Sequence, residues 1–572
     1  MARIHKLKVK NFRCLSDFVH TFGSTNLNCL IGRGDSGKST ILEAIFLALS
    51  PNRLEIFYDE DFHNSNIHSP IEIEVTLLNL PNEFFKHGRF DGYFKIFDPR
   101  KNEISEQVDT YEPEETTERA LTVKLEVAND LEPNWTIQSG RSLEPKIINY
   151  TDRKKLNVFY VSDAIDRHFT WSKWNPLHRL LQEDNPAEGP ESELILDVIR
   201  SAKAQINDGD FEKFDATIKR VLAQSKKFGV DIPNLSTRID SRDLFARESR
   251  FSLHDDGVPF RQKGKGSKRL TSIAIQTALV ATGGIVLIDE IEQSLEPDRA
   301  KHAVSTLKDE KHGQIFMTTH SRDVVVELNP GNLLLARKNQ QNLTTFSDDL
   351  AGFLRANPEA FFGGKIIVCE GKTELGICRA LDQYMVEKGF RSFSSLDIAT
   401  ALGEGSTSPK YVYRFKESGF NTCVFCDSEE ENFNREKPGF AAANISVFDW
   451  ENKDMIERAF FRDIPKDAIS ELLKYRAKRL AEKKNITPNE AAERMWEGII
   501  AQYGVNAKSD YNLNEIPENL RLAIADVANN KDWFKNITDG QILGEITFNY
   551  FDHIKGSSLE KVLTKLINWI YH

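Results

Sequence analysis

"GRGDSGKSTILEAIFLAL", from Gly32 to Leu49, is a glycine-rich turn that opens into a helix with one apolar face. Gly32, Gly37, Lys38 and Ser39 keep the spacing G-x-x-x-x-G-K-[ST]. In that arrangement backbone N–H groups wrap phosphate oxygens, the lysine reaches the terminal phosphates and the serine hydroxyl ligates magnesium. The preceding run, "TNLNCLIG", reads as a strand, so the turn has the strand–loop–helix setting that a chance glycine turn lacks. Gly32, Gly34, Asp35, Ser36, Gly37, Lys38, Ser39 and Thr40 are therefore expected to cradle ATP with its magnesium ion.

Distant partners of that loop are recognisable. In "GGIVLIDEIEQSLEP" the apolar run Ile285 to Ile288 suits a strand buried on both faces and ends in Asp289 and Glu290. Asp289 is placed to hold the magnesium through water, and Glu290 to polarise the attacking water. His320, in "MTTHS", follows another strand, where it is expected to sense the γ-phosphate. About 250 residues separate the two elements, far more than a simple nucleotide-binding domain needs. A separation of that size, with an inserted helical part, resembles the ABC-type ATPases of the structural-maintenance and recombination class. "LKVKNFRCL" (Leu7 to Leu15) resembles their opening strand, and "SLEP" (Ser294 to Pro297) stands at the place of their D-loop. "GKGSKRL", ahead of a helix, stands where they carry a signature, with Gly266 and Ser267 retained and lysines replacing several neighbours. The resemblance implies a homodimer or higher homo-oligomer, because the signature of one subunit completes the site of another.

Composition bounds the rest. A chain of 572 residues is expected to form two or three domains, and six cysteines argue against a disulfide framework. Cys423 and Cys426 form a C-x-x-C, but no second pair completes a zinc site, so they read as small residues on a buried strand. The net charge of -11 places any nucleic-acid contact in a local basic cluster such as Arg261 to Arg269, while Lys474 to Lys484 reads most simply as a solvated helix face. No apolar run approaches the length needed to span a bilayer, and the start, "MARIHKLKVKNF", lacks a signal-type stretch. The expected location is cytoplasmic, with no membrane partner.

After Gly363 and Gly364 the pattern resets to alternating strands and helices. "KIIVCEGKTELG" runs an apolar strand into Glu370, with Glu374 on the first turn of the next helix. "NTCVFCDSEEENF" ends a later strand in Asp427 and Glu429, which share a face as alternate residues. Acids at the carboxyl ends of parallel strands lie where open α/β sheets bind ligands. Such an oxygen-rich set suits Mg2+ or Mn2+, and two ions would clamp the attacking and leaving oxygens of a phosphodiester.

These acids resemble the Toprim domain of topoisomerases, primases and certain nucleases. E-G-x-T-E (Glu370 to Glu374) looks like the form found in the OLD (overcoming-lysogenisation-defect) family, which fuses an ABC-type ATPase to a C-terminal Toprim nuclease in the order seen here. The resemblance implies an α/β chain with four parts. Residues 1–160 are the first part of the ATPase, 161–240 a helical dimerisation insert, and 241–360 the second part of the ATPase. Residues 361–572 are the Toprim domain, with a helical insert at about 466–545. It also implies that Glu370, Glu374, Asp427 and Glu429 hold two metal ions, with Glu replacing the family's second Asp at 429. Glu457 resembles a later family acid, and Lys555, before a helix, the lysine that stabilises the pentavalent phosphate. DNA is the implied substrate and anti-phage defence the implied role, with other products of a defence operon, such as a reverse transcriptase or helicase, as partners. Three rivals remain: a DNA-sensing ATPase whose C-terminal domain binds without cutting, a topoisomerase-type strand transferase, and a small-molecule phosphotransfer domain.

Overall fold

The computed structural model describes residues 2–51, 55–105, 118–138, 144–162, 165–170, 175–177, 179–180, 201, 253–280, 283–309, 313–403, 408–428, 431–450 and 454–572. The chain divides into two compact units, residues 1–160 with 283–572, and residues 161–282. Most of the helical insert expected at 161–240, and Glu429, lie outside the described residues.

Among the described residues the larger unit holds three sheets. The first has eight strands and is antiparallel through Leu15–Thr21, Arg3–Phe12, Ile71–Leu78 and Glu118–Val127. Alternation decides its inner face: Leu7, Val9, Ile71, Ile73, Val75, Leu121, Val123 and Leu125 are buried in one core with Ile41, Leu42 and Ile45. The second sheet has six strands, with a parallel centre. There β1 (Leu27–Ile31) lies between β3 (Gln314–Thr318) and β4 (Leu333–Leu335), and β3 pairs with β2 (Ile285–Ile288) on its other side. Every residue of β1 to β4 is buried, as a parallel sheet covered on both faces requires. α1 (Lys38–Leu49) leaves the loop after β1.

The third sheet is four parallel strands in the order β6 (Ile398–Leu402), β5 (Lys365–Cys369), β7 (Asn421–Phe425), β8 (Ser446–Phe448). α2 (Lys372–Glu387) follows β5 directly. Beyond β8 the described chain is helical: α3 (Ile456–Asp463), α4 (Lys466–Lys484), further helices over Pro488–Tyr503, Ala507–Tyr511 and Glu518–Asn530, α5 (Ile537–Asn549), and a last helix at Ser558–Tyr571. They share one apolar core with the third sheet. No helix among the described residues is long and apolar enough to cross a membrane.

Two contacts tie this unit together. Phe346, Phe353 and Phe361, from the chain before β5, meet Phe415 and Phe420, from the chain after β6, in an aromatic cluster. Phe353 lies 5.1 Å and Phe361 5.3 Å from Phe415, centroid to centroid. Phe346 lies 6.2 Å from Phe420, whose ring also carries the Arg337 guanidinium. Elsewhere α2 and α5 cross at backbone contact. A Cβ on Gly376 would stand 2.4 Å from the Ile537 carbonyl oxygen, and one on Gly544 would stand 2.7 Å from the Ala380 Cβ.

Gly376→Ala drives a methyl group into backbone that cannot swing aside, and overpacking of this kind costs about 1–3 kcal/mol. Denaturant unfolding of that variant should show the loss with an unchanged slope. A second expectation concerns acid. Burial holds the His20 imidazole down at about 4, against roughly 6.5 for a free histidine. Above pH ~6.5 neither folded nor unfolded chain protonates this group, so it contributes no pH dependence there. As pH falls toward 4 the unfolded chain alone takes the proton, and stability drops by up to about 1.4 kcal/mol per pH unit. Stability measured between pH 6 and 4 should fall less steeply in His20→Phe.

Candidate functional site

The loop after β1 takes the shape its glycines allow. Gly32 and Gly37 have φ of 139° and 90°. A Cβ on Gly32 would lie 2.3 Å from the Ala336 carbonyl oxygen, so no other residue fits beside the neighbouring strand. The Lys38 ammonium folds back onto the loop, donating to the carbonyls of Gly32 (3.0 Å) and Arg33 (2.7 Å) and to Ser36 Oγ (3.3 Å). Burial lowers its pKa to about 8, against the opposing pull of Asp289, Glu290, Glu292 and Asp35.

Ser39 Oγ donates to Asp289 Oδ1 at 2.9 Å, and Thr318 Oγ1 donates to the same oxygen at 2.6 Å. The loop and the ends of β2 and β3 thus meet at one carboxylate. Glu290 sits in the left-handed region (φ 46°), and its N–H donates to Thr318 Oγ1 at 2.7 Å. Glu292, which the sequence motifs pass over, fastens the end of β3. Its carboxylate accepts from the Thr319 hydroxyl (2.7 Å) and from the His320 N–H (2.6 Å). Burial and then the Lys38 charge lower the pKa of His320, against the opposing pull of Glu292, Glu290 and Asp289. Gly32, Arg33, Gly34, His320, Arg322 and Phe362 line a cavity of about 550 Å³ beside the loop. Gly266 and Ser267 do not stand in a loop ahead of a helix. They occupy the first turn of one that begins at Lys265.

A second constellation stands at the carboxyl ends of β5 and β7. The Glu370 N–H donates to the Phe425 carbonyl (3.0 Å), while its Oε2 accepts from the Asp427 N–H (2.8 Å). Glu374, 4% exposed, accepts from the Gly371 N–H at 3.0 Å. Asp427 Oδ1 accepts from the Trp450 indole at 3.0 Å. Glu457, on the first turn of α3, is fully buried. Burial raises Glu374 to about 7, with Glu457 adding to the rise and Lys535 opposing it. Burial likewise holds the Asp427 carboxyl well above the usual range, reinforced by Glu374, Glu370 and Glu457 and again opposed by Lys535.

Among the described residues Lys535 brings a cation to these acids, its Nζ 3.7 Å from Glu457 Oε1. Lys555 is elsewhere, exposed to solvent and paired with Asp552 at 2.9 Å. Lys555 has the local setting of a lysine before a helix, whereas Lys535 is carried in by the turn that precedes α5. The donor set is all-carboxylate and mutually repelling, which suits a hard divalent cation. It is not closed around one: among the described residues no three His, Cys, Asp or Glu side chains form a metal-holding group. Glu370, Glu374 and Asp427 each accept an internal N–H at one oxygen, and a carboxylate with about four lone-pair sites can keep such a bond while it meets a cation. Cys423 and Cys426 are buried free thiols, with pKa values raised by burial.

Residues 3–325 match the family model of the AAA ATPase domain. The chain belongs to that family. An AAA ATPase domain implies ATP, which agrees with the geometry around Lys38, Ser39 and Asp289. The chain is also similar to the OLD nuclease of Thermus scotoductus (strain ATCC 700910 / SA-01), 26% identical over 351 residues, which take up 56% of this chain and 59% of that protein. It thus spans little more than half the length of the curated relative it matches. Among solved structures, it resembles the Smc head bound to the C-terminal winged-helix domain of ScpA, at 17% identity and TM-score 0.32, over 60% of this chain and 94% of that one. The recombination mediator protein RecF matches at 13% identity and TM-score 0.32, over 60% of this chain and 98% of that one.

Lys38→Ala removes the ammonium from the phosphate cradle of this AAA ATPase domain. A charge-assisted bond is worth about 1.5–3 kcal/mol, so ATP affinity measured by calorimetry should fall roughly ten- to hundredfold.

Proposed function

We propose that the chain is an ATP-regulated, divalent-metal-dependent DNA endonuclease, in which β5 to β8 and their helices form a Toprim nuclease domain. The observation that carries this reading is the group of Glu370, Glu374, Asp427 and Glu457 at two parallel strand ends and two helix starts, faced by Lys535. Similarity to an OLD nuclease supports it.

Glu370, Glu374, Asp427 and Glu457, with Glu429, would hold Mg2+ or Mn2+. When bound, those ions supply an activated water and neutralise charge on the phosphodiester. The chain's own residues do the rest. Buried acids repel a bare phosphate, so the Lys535 ammonium gives the diester a point of approach and stabilises charge that develops on its oxygens. Trp450 fixes the Asp427 carboxylate through its indole N–H, and the Asp427 N–H fixes Glu370. Lys38, Ser39, Asp289, Glu290 and His320 bind and sense ATP, and its state controls cleavage. The protein works as a homodimer or higher homo-oligomer, in the cytoplasm, as an effector of defence against phage alongside products of its operon.

One observation favours a second reading, a recombination-type ATPase whose Toprim domain binds DNA without cutting: the acids do not already form a metal-holding group among the described residues. Cleavage of plasmid and oligonucleotides with Mg2+ or Mn2+ separates the two readings. Asp427→Ala and Lys535→Met should each cut at least about a hundredfold more slowly, as removal of one stabilising group commonly does. Chelation should abolish cutting, and Lys38→Ala should retain it while losing its dependence on ATP. Equal cutting by wild type and Asp427→Ala would defeat the nuclease reading.

A further inference from the structure

Lys535 belongs to a turn between helices, yet residues on both sides of it are pinned. On one side, Thr373 Oγ1 donates to the Phe534 carbonyl at 2.9 Å, a bond buried at both ends. On the other, Asn536 caps α5: its side chain accepts from the Asp539 N–H at 2.9 Å and donates to the Asp539 carboxylate. Asp539, itself buried, also accepts from the Tyr475 hydroxyl at 2.5 Å, which anchors the turn to α4.

Thr373 is the unexpected member. A threonine on the first turn of a helix ordinarily bonds its own backbone or water. This one reaches across to a segment 161 residues away. It does so because α2 and α5 touch backbone to backbone, a Cβ on Gly540 standing 2.7 Å from the Thr373 carbonyl oxygen. Thr373 lies next to Glu374 in the chain, and Phe534 next to Lys535. One hydrogen bond therefore joins the chain beside an acid of the cluster to the chain beside the cation that faces it.

We propose that Thr373 is a positioning residue, whose hydroxyl holds the backbone of Lys535 in register with Glu374 and the neighbouring acids. The proposal rests on the nuclease reading for its effect on cleavage, but the placement of Lys535 is measurable without any cleavage. Misplacement by about 1 Å costs on the order of a hundredfold in rate. Thr373→Val, equal in shape but without the hydroxyl, should therefore lower kcat for DNA cleavage by roughly ten- to hundredfold with KM little changed. Thr373→Ser should restore most of the rate, and ATP binding should be unchanged in both.

Lysine-selective acylation of the full chain, read by mass spectrometry, gives the independent measurement. Lys535 should label several-fold faster in Thr373→Val than in wild type or Thr373→Ser, with the other lysines as internal references. Thr373→Ala serves as a second variant should Thr373→Val lower the thermal midpoint of the whole chain. Unchanged Lys535 labelling in both Val and Ala variants overturns the proposal, as does a Ser variant as slow as Val. If labelling changes as expected while wild type and Asp427→Ala cut alike, the nuclease reading fails and the positioning role stands.

Discussion

Buried carboxyl groups that feel one another's charge are the constraint around which the carboxy-terminal part is organised. Glu374, Asp427 and Glu457 are each under a tenth exposed, and burial and mutual repulsion together push protons onto Glu374 and Asp427. A fold of interest only for its stability would replace such a group by apolar side chains, since isolated buried charges cost several kcal/mol each. Instead the chain meets Glu374 and Asp427 with N–H donors from Gly371 and Trp450, and Glu457 with the Lys535 ammonium.

The nucleotide loop follows the opposite logic. There a buried ammonium feels the pull of several acids, and Lys38 donates to the loop carbonyls of Gly32 and Arg33. Arg33, inside the loop, reaches the other way: its guanidinium pairs with Asp397 at 2.9 Å and donates to the Ser394 carbonyl, just before β6. The loop after β1 and the turn that leads into β6 are therefore in direct contact through a residue flanked by Gly32 and Gly34.

Much of this is legible in the sequence where backbone geometry dictates residue type. The loop demands glycine at 32 and 37, and β2 and β3 announce themselves as apolar runs ending in polar residues. The strand-end positions of Glu370 and Asp427 are legible for the same reason. Lys535 is not, because its meaning comes from a contact across 78 positions of chain with Glu457, and "WFKNITDG" carries no motif for it. Lys555 has the local setting without the contact. Glu292 escapes notice because its partners, Thr319 and His320, are backbone and hydroxyl donors that no spacing rule encodes.

The aromatic cluster of Phe346, Phe353, Phe361, Phe415 and Phe420 carries a practical consequence. Its rings come from both sides of Gly363 and Gly364, where a reader of the sequence would cut. Expressing either half alone would strip three phenylalanines, or two, of their neighbours and present a sticky apolar face to water. The two halves are thus soldered at that seam, and preparations meant to isolate one of them must carry the other along.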